Sequence, residues 1–176
     1  MKRLFLFRHA KTEPDNKGGD HARVLTDRGR SDALLMARRC KESGYRPDLV
    51  LCSTSARTRQ TWDIVAPLLD STPKVEFLEP LYLAPAKRIV SIIDAVPDAA
   101  AGVMVIGHNP GMEEAATLLA RKPETSEEQA TMRNMREKFS TGALAVLDFE
   151  TEHWKAVAPH LGILAAYIRP KYLRDD

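Results

Sequence analysis

The sequence predicts a three-layer α/β/α domain with a mainly parallel central sheet. Short apolar runs alternate along the chain with segments of helical periodicity, and repeated strand-then-helix order is typical of this class. Several runs are apolar at every position, as expected for parallel strands covered by helices on both faces. The 176 residues are 44% apolar and 28% charged, which is typical of one globular unit, so we expect residues 1–176 to form a single domain.

The amino-terminal third contains the first strand, a long loop and the first helix. Arg3 to Phe7 is an apolar run between charged residues and is predicted to be a strand. The segment from Ala10 to Leu25 is polar and aperiodic, which indicates a loop over the end of that strand. Thr26 is a suitable N-cap for a helix from Asp27 to Ser43, and Gly44 is a typical residue to end it.

The middle of the chain repeats the alternation. Its apolar runs and periodic segments predict strands at Leu49 to Cys52, Val75 to Leu78 and Gly102 to Ile106, and helices at Thr58 to Leu69, Pro85 to Val96 and Met112 to Ala120.

The last third is less regular. The charged segment from Arg121 to Lys138 lacks a clear apolar period, so we expect a surface excursion or a loose helix. Ala143 to Phe149 and Trp154 to Ala158 resemble two strands joined by a short polar turn, and we predict that this hairpin completes the sheet.

Charge and composition exclude several classes of protein. The formal net charge is only +2, whereas a generic nucleic-acid-binding protein has a basic excess. No apolar run is long enough to span a membrane or to form the core of a signal peptide, so a cytoplasmic location is expected. Two cysteines do not make a disulfide framework.

Polar clusters follow three of the predicted strands. Arg8 and His9 follow the first strand, Ser53 to Arg57 follow the second, and Gly107 to Gly111 follow the fourth. Ligands of an open parallel sheet bind beyond the carboxyl ends of its strands. We therefore expect two histidines, His9 and His108, and two arginines to meet in one pocket.

This set of side chains favours phosphoryl transfer without a metal. Guanidinium groups match phosphate oxygens with paired donors, and a neutral imidazole is a competent nucleophile. The sequence has no pair of residues with metal-ligand spacing such as His-x3-His or Cys-x2-Cys, so neither a metal nor another cofactor is expected.

The three clusters together resemble the histidine phosphatase (phosphoglycerate mutase-like) superfamily. Leu6 to Thr12 is similar to its Arg-His-Gly signature, Ser53 to Thr61 to its Ser-x-x-x-Arg-x-x-Gln-Thr segment, and Gly107 to Pro110 to its second-histidine motif. Arg23 to Gly29 and the short length are most similar to small bacterial phosphohistidine phosphatases of the SixA type. The resemblance extends from about Lys2 to Ala120.

The resemblance implies a role for each site residue. His9 would be the nucleophile that becomes phosphorylated, Arg8 and Arg57 would hold the phosphoryl oxygens, His108 would contact the same group, and Arg23 would complete the pocket. The implied function is a metal-independent phosphatase that acts on protein phosphohistidine or on a small phosphorylated metabolite. The alternative is a non-catalytic signalling module that binds phosphate.

The sequence departs from the family pattern at two positions. Ala10 replaces the usual glycine, and Thr54 replaces a usual proline. Larger members carry an acid near the leaving group, and Glu79 is the nearest positional candidate. A missing acid would favour a labile phosphoramidate over a phosphate ester.

Other reactive side chains are given structural interpretations. Cys52 precedes Arg57 by four intervening residues and no glycine, which does not match the Cys-x5-Arg loop of thiol phosphatases, so we expect a core residue. Cys40 is also expected in the core, His21 is expected to be exposed and without a role, and His153 and His160 are expected to be structural.

Overall fold

The computed structural model describes residues 1–174. It contains one six-stranded sheet and five α-helices. The strands are β1 (Lys2–Arg8), β2 (Leu49–Ser53), β3 (Lys74–Leu78), β4 (Gly102–Gly107), β5 (Leu144–Phe149) and β6 (Ile163–Ile168). The helices are α1 (Asp27–Glu42), α2 (Ala56–Val65), α3 (Ala86–Asp94), α4 (Gly111–Leu119) and α5 (Ser126–Glu137).

The sheet has the strand order β3-β2-β4-β1-β5-β6. The four strands from β3 to β1 are parallel, whereas β5 and β6 are antiparallel to their neighbours. Because β2, β4 and β1 are adjacent and parallel, the loops that follow their carboxyl ends meet at one edge of the sheet.

Two apolar clusters cover the two faces of the sheet. One contains Met36 of α1 and Trp62 of α2, and the other contains Ile89 of α3, Met112 of α4 and Met135 of α5. The predicted three-layer α/β/α architecture with a mainly parallel sheet is therefore confirmed. Within residues 1–174, every helix is too short or too polar to cross a membrane.

The segment from Arg121 to Lys138 contains helix α5. The sequence predicts either a surface excursion or a loose helix here, and the structure shows a helix. Thr125 caps this helix by accepting a hydrogen bond from the Glu128 backbone at 3.1 Å. Met132 and Met135 are buried against the core while the remaining surface is polar. The apolar stripe has only these two large residues, which is why the sequence showed no clear period.

The predicted strand at Trp154 to Ala158 is wrong. Trp154–Ala156 forms a short 3-10 turn, and the last strand is β6, Ile163–Ile168. The Trp154 side chain is fully buried, and its Nε1 donates to the Ala100 carbonyl at 2.7 Å. This contact with the connection before β4 draws the segment away from the sheet, so the partner of β5 comes from further along the chain.

Candidate active site

The loops after β1 and β4 are joined by backbone hydrogen bonds at the carboxyl edge of the sheet. The His9 amide donates to the Gly107 carbonyl at 3.1 Å, and the Gly142 amide donates to the His9 carbonyl at 2.8 Å. These contacts hold the His9 and His108 rings with their centroids 5.3 Å apart. The structure thus brings together the two histidines that the sequence singled out.

His9 is buried and neutral, with one ring nitrogen committed to the backbone. Its Nδ1 lies 2.7 Å from the Ala10 carbonyl, and because a carbonyl can only accept, Nδ1 carries the proton and Nε2 keeps a lone pair. Burial lowers the pKa of His9 to about 3; the Ala10 carbonyl contact opposes this effect, and His108, Arg57 and Arg8 act in the same direction as burial. The result is an uncharged imidazole with a nucleophilic nitrogen at neutral pH.

His108 is held by the end of β2. Its Nε2 lies 2.8 Å from the hydroxyl of Ser53, and its buried Nδ1 has no hydrogen-bond partner within residues 1–174. Burial lowers the pKa of His108 to about 3, and the charge of Arg57 acts in the same direction. The Nδ1 atom is therefore a free polar group of the pocket that a substrate oxygen could engage.

Arg57 lies in the first turn of α2, where a cation opposes the helix dipole and favours an anionic neighbour. Its side chain is 1% exposed, and it donates from Nη1 to the Asp20 carbonyl at 2.8 Å and from Nη2 to the Asp20 carboxylate at 3.1 Å. Its buried Nε has no partner among the described residues. Arg57 thus keeps donors for a second anion.

Arg8 faces the segment that precedes β5. Its Nη1 donates to the Phe139 carbonyl at 2.9 Å, and its buried Nε has no partner within residues 1–174. Burial lowers the pKa of Arg8 from its ordinary value, although the charge of Glu113 opposes this effect. Arg8 and Arg57 both lower the pKa of His9, so the two guanidinium groups act on the same imidazole.

Asp20 connects the long loop to the site. Its carboxylate accepts hydrogen bonds from Tyr82, from Arg57 and from Arg23, the last at 3.0 Å. The Tyr82 hydroxyl and the Arg57 guanidinium are the main groups that hold the pKa of Asp20 at about 2. Sequence reasoning missed both Asp20 and Tyr82, because several acids in that loop look alike and only the folded chain brings Asp20 to Arg57.

Arg23 lies beside the site and reaches it through Asp20. Its Nη1 donates to the Thr12 hydroxyl at 3.1 Å and to the Glu13 carbonyl at 3.0 Å. These hydrogen bonds join the two ends of the long loop. The role of Arg23 in substrate binding stays a prediction.

A set of more exposed side chains forms the rim of the site. The Thr54 hydroxyl donates a hydrogen bond to the Glu79 carboxylate. The oxygen of this Thr54 hydroxyl accepts a hydrogen bond from His21 Nε2 at 2.9 Å. The Tyr82 ring packs edge-on against His21 at 4.7 Å and against His108 at 5.4 Å between centroids. His21, which was expected to have no role, is therefore part of the rim. Thr54, which replaces the family's proline, provides the hydroxyl that links His21 to Glu79.

The remaining departure from the family pattern, Ala10, is accommodated by packing, and Cys52 is a core residue. The Ala10 methyl is fully buried with Leu25 and Ala33, and its amide donates to the Thr61 hydroxyl at 3.1 Å. Cys52 is a buried core residue as predicted, and burial raises the pKa of its thiol to about 12. Cys52 is therefore a thiol rather than a thiolate nucleophile at neutral pH.

Residues 4–82 match the model of the histidine phosphatase superfamily (branch 1). A protein of Mycobacterium tuberculosis without an assigned function is 32% identical over 164 residues, which are 93% of this chain and 99% of the relative. The chain belongs to the histidine phosphatase superfamily. It is a histidine-type phosphatase, as the three sequence motifs predicted.

Solved structures of this superfamily extend the similarity beyond residue 82, to the part of the chain that contains His108. A candidate phosphohistidine phosphatase SixA of Nakamurella multipartitia is 28% identical, covers 96% of this chain and 96% of its own, and superimposes with a TM-score of 0.82. A candidate SixA of Agrobacterium tumefaciens is also 28% identical, with 96% and 98% coverage and a TM-score of 0.74. Within residues 1–174, no group of three or more His, Cys, Asp or Glu side chains is arranged to hold a metal ion.

Proposed function

We propose that this phosphatase works through a phosphohistidine at His9 and acts on protein phosphohistidine or on a small phosphorylated metabolite. The observation that carries the proposal is the state of His9. Its Nδ1 proton is committed to the Ala10 carbonyl, its pKa is lowered to about 3, and two arginines and His108 surround it. A neutral, oriented imidazole beside paired guanidinium groups is suited to attack a phosphoryl group.

In the first step, the lone pair of His9 Nε2 forms a bond to phosphorus while the bond from phosphorus to the leaving oxygen or nitrogen breaks. The leaving atom keeps the electron pair and takes a proton from solvent water at the rim, directly or through Glu79. Arg8 and Arg57 neutralise the charge on the phosphoryl oxygens, and His108 Nδ1 donates a hydrogen bond to the same group. Asp20 holds the plane of the Arg57 guanidinium and leaves its Nε available.

In the second step, a water oxygen attacks the phosphorus of phosphohistidine. The nitrogen–phosphorus bond breaks, its electron pair returns to His9 Nε2, and a proton from the water passes to the released phosphate. The same donors stabilise both steps because the phosphoryl oxygens occupy the same place in each.

Glu79 is the candidate acid for the leaving group. Its carboxylate is 70% exposed and accepts a hydrogen bond from Thr54, and it lies 3.8 Å from His21 Nε2. An exposed acid on the rim gives limited help to an alkoxide, whereas the labile bond of phosphohistidine needs less. The position of Glu79 and the likeness to candidate phosphohistidine phosphatases both support a phosphoramidate substrate.

The mechanism is tested by replacing His9 and measuring turnover of an aryl phosphate in the presence of EDTA. His9→Ala is expected to abolish turnover and to remove the acid-labile, base-stable phosphoenzyme that the unaltered protein forms. His153→Ala is the matched control, since His153 is exposed and contacts Asp98, which precedes β4, whereas the site lies beyond the carboxyl end of that strand. Full activity of His9→Ala would overturn the mechanism.

The substrate is tested by comparing kcat/KM for a protein phosphohistidine, a small phosphoramidate and an alkyl phosphate. We expect kcat/KM to be highest for the protein phosphohistidine, lower for the small phosphoramidate and lowest for the alkyl phosphate. Glu79→Gln should lower turnover of the alkyl phosphate about tenfold and leave the phosphoramidates within about twofold. A preference for the alkyl phosphate would reject the phosphoramidate part of the proposal and leave the role of His9 intact.

A further inference from the structure

A second concentration of positive charge lies in a cleft of about 390 Å³ near the carboxyl edge of the sheet. None of Arg8, His9, Arg57 and His108 lines this cleft. Its charged lining residues are Lys11, Arg28, Lys138, Arg169, Lys171, Arg174 and a single acid, Asp32. Six cations and one carboxylate share this space in a chain whose formal net charge is only +2.

The one carboxylate among the residues that line the cleft, that of Asp32, already forms an ion pair with Arg174. Asp32 is buried and accepts two hydrogen bonds from Arg174, from Nε at 3.0 Å and from Nη2 at 2.6 Å. Arg28 Nε lies 3.7 Å from the same side chain. Lys11, Lys138 and Lys171 form no ion pair with any carboxylate of residues 1–174, so their charges are uncompensated within that part of the chain.

Arg169 is the buried cation of this group. It is 8% exposed, its Nε donates to the Ser140 hydroxyl at 3.3 Å, and its guanidinium lies over the Tyr172 ring at 5.4 Å. Neither of its Nη groups donates a hydrogen bond to another residue in the described range, and no carboxylate there pairs with it. The two Nη groups are not among the buried polar atoms without a partner, so their donors face the cleft and can bind an anionic ligand there.

We propose that this cleft binds a small anion with two or more phosphoryl groups. Its volume is that of a small-molecule site. The guanidinium of Arg169 can bind one phosphoryl group with paired donors, while the lysines around it can neutralise further charge. A single phosphate would engage only part of the lining, whereas a chain of phosphoryl groups can reach both the buried arginine and the exposed lysines.

The cleft adjoins the active site through the turn that precedes β5. The Phe139 carbonyl accepts hydrogen bonds from Arg8 at 2.9 Å and from the side chain of Asn109 at 3.1 Å. The next residue, Ser140, accepts from Arg169 in the cleft. The two sites therefore bind successive residues of one short segment, although they share no cation.

The test is a calorimetric titration of inorganic tripolyphosphate into the His9→Ala protein, which cannot turn the probe over. Arg169→Gln added to this background is expected to weaken one binding event at least tenfold. Arg88→Gln is the matched control, because Arg88 is exposed on α3, outside the cleft, and its loss changes the net charge equally. The Arg88 variant should keep the dissociation constant within about twofold at the same ionic strength.

A second variant covers the case in which Arg169→Gln does not fold. Lys171→Gln removes an exposed cation of the same cleft and should weaken binding about threefold or more. Orthophosphate should bind the cleft at least tenfold more weakly than tripolyphosphate. The proposal is overturned if the Arg169, Lys171 and Arg88 variants all weaken binding equally, or if Arg57→Ala alone removes every binding event.

The experiment also tests Asp175 and Asp176 as an alternative source of negative charge for the cleft. Asp175 and Asp176 follow Arg174 in the sequence and lie outside the described residues. Tripolyphosphate should bind with the same affinity, within about threefold, when both are replaced by Asn. Binding that appears only in this double variant would overturn the proposal, because the acidic end would then be the ligand of the cleft.

Discussion

The inner wall and the rim of the active site are built in different ways. His9, Ser53, Arg57 and His108 of the wall are all no more than 5% exposed. His9 and His108 directly follow β1 and β4, Ser53 is the last residue of β2, and Arg57 lies in the first turn of α2. The rim consists of more exposed side chains from the long loop and from the segments after β2 and β3, namely Asp20, His21, Thr54, Glu79 and Tyr82. Burial sets the protonation of the wall, whereas hydrogen bonds between neighbours hold the rim. The difference suggests that the sheet positions the reacting groups and the loops orient them and select the substrate.

After the replacement of His9 itself, the largest expected loss of activity follows removal of a cation from the wall. Arg57→Ala should lower kcat/KM for an aryl phosphate about 10³-fold, since the phosphoryl charge loses its paired donors in a buried setting. Arg57→Lys should restore little of this, because an ammonium cannot donate in the same fork. Arg88→Ala should stay within about twofold. Equal activity of the Arg57 and Arg88 variants would contradict the importance of the wall.

The buried imidazoles of the wall should make stability depend on pH. Both histidines have an ordinary pKa of 6.5 when unfolded and about 3 when folded, so the unfolded chain takes up protons first as the pH falls. Between pH 6.5 and 4.5 each imidazole should lower the free energy of unfolding by about 2 kcal/mol. Their contribution is complete above pH 6.5 and is lost as the pH falls toward 3.

Urea denaturation at pH 7 and pH 4.5 measures this effect. His9→Gln should show a smaller loss on acidification than the unaltered protein, because one of the two imidazoles is gone. A loss of the same size in both proteins would mean that His9 is not held neutral by burial.

A smaller loss of activity is expected when the wall keeps its reacting groups but loses a hydrogen bond that orients one of them. Ser53→Ala removes the hydroxyl that lies 2.8 Å from His108 Nε2 and should lower kcat about tenfold with little change in KM. His108→Ala should cost more, and adding Ser53→Ala to it should cost almost nothing further. Additive losses in the double variant would show that Ser53 does not act through His108.

The smallest effect is expected at the rim. Asp20→Asn removes a negative charge from Arg57 and should tighten inhibition by inorganic phosphate roughly threefold, because the carboxylate no longer competes for the guanidinium. The test is to measure the inhibition constant of inorganic phosphate for the unaltered protein and for Asp20→Asn at one pH. Weaker inhibition in Asp20→Asn would indicate that orienting Arg57 matters more than competing for it.

The parts of the molecule that the sequence predicted are those specified by neighbouring residues. Strand ends followed at once by Arg8, His9 and His108 form contiguous patterns, and the apolar runs around them have the lengths of buried strands. The failed strand at Trp154 shows the limit of such patterns. A stretch that looks like a strand became a turn because its tryptophan packs under the connection to β4, a contact between residues 54 positions apart.

The sequence alone therefore determined the layers of the fold, the chemistry of the inner wall and the family to which the chain belongs, since each depends on short local patterns. Only the tertiary structure decided that Asp20 and Tyr82 meet at Arg57, and that Arg169 lies buried without an acidic partner within residues 1–174. The physical reason is that burial and pairing of charge depend on residues far apart in the chain. Single charged residues in loops carry no pattern that shows which partner they will meet.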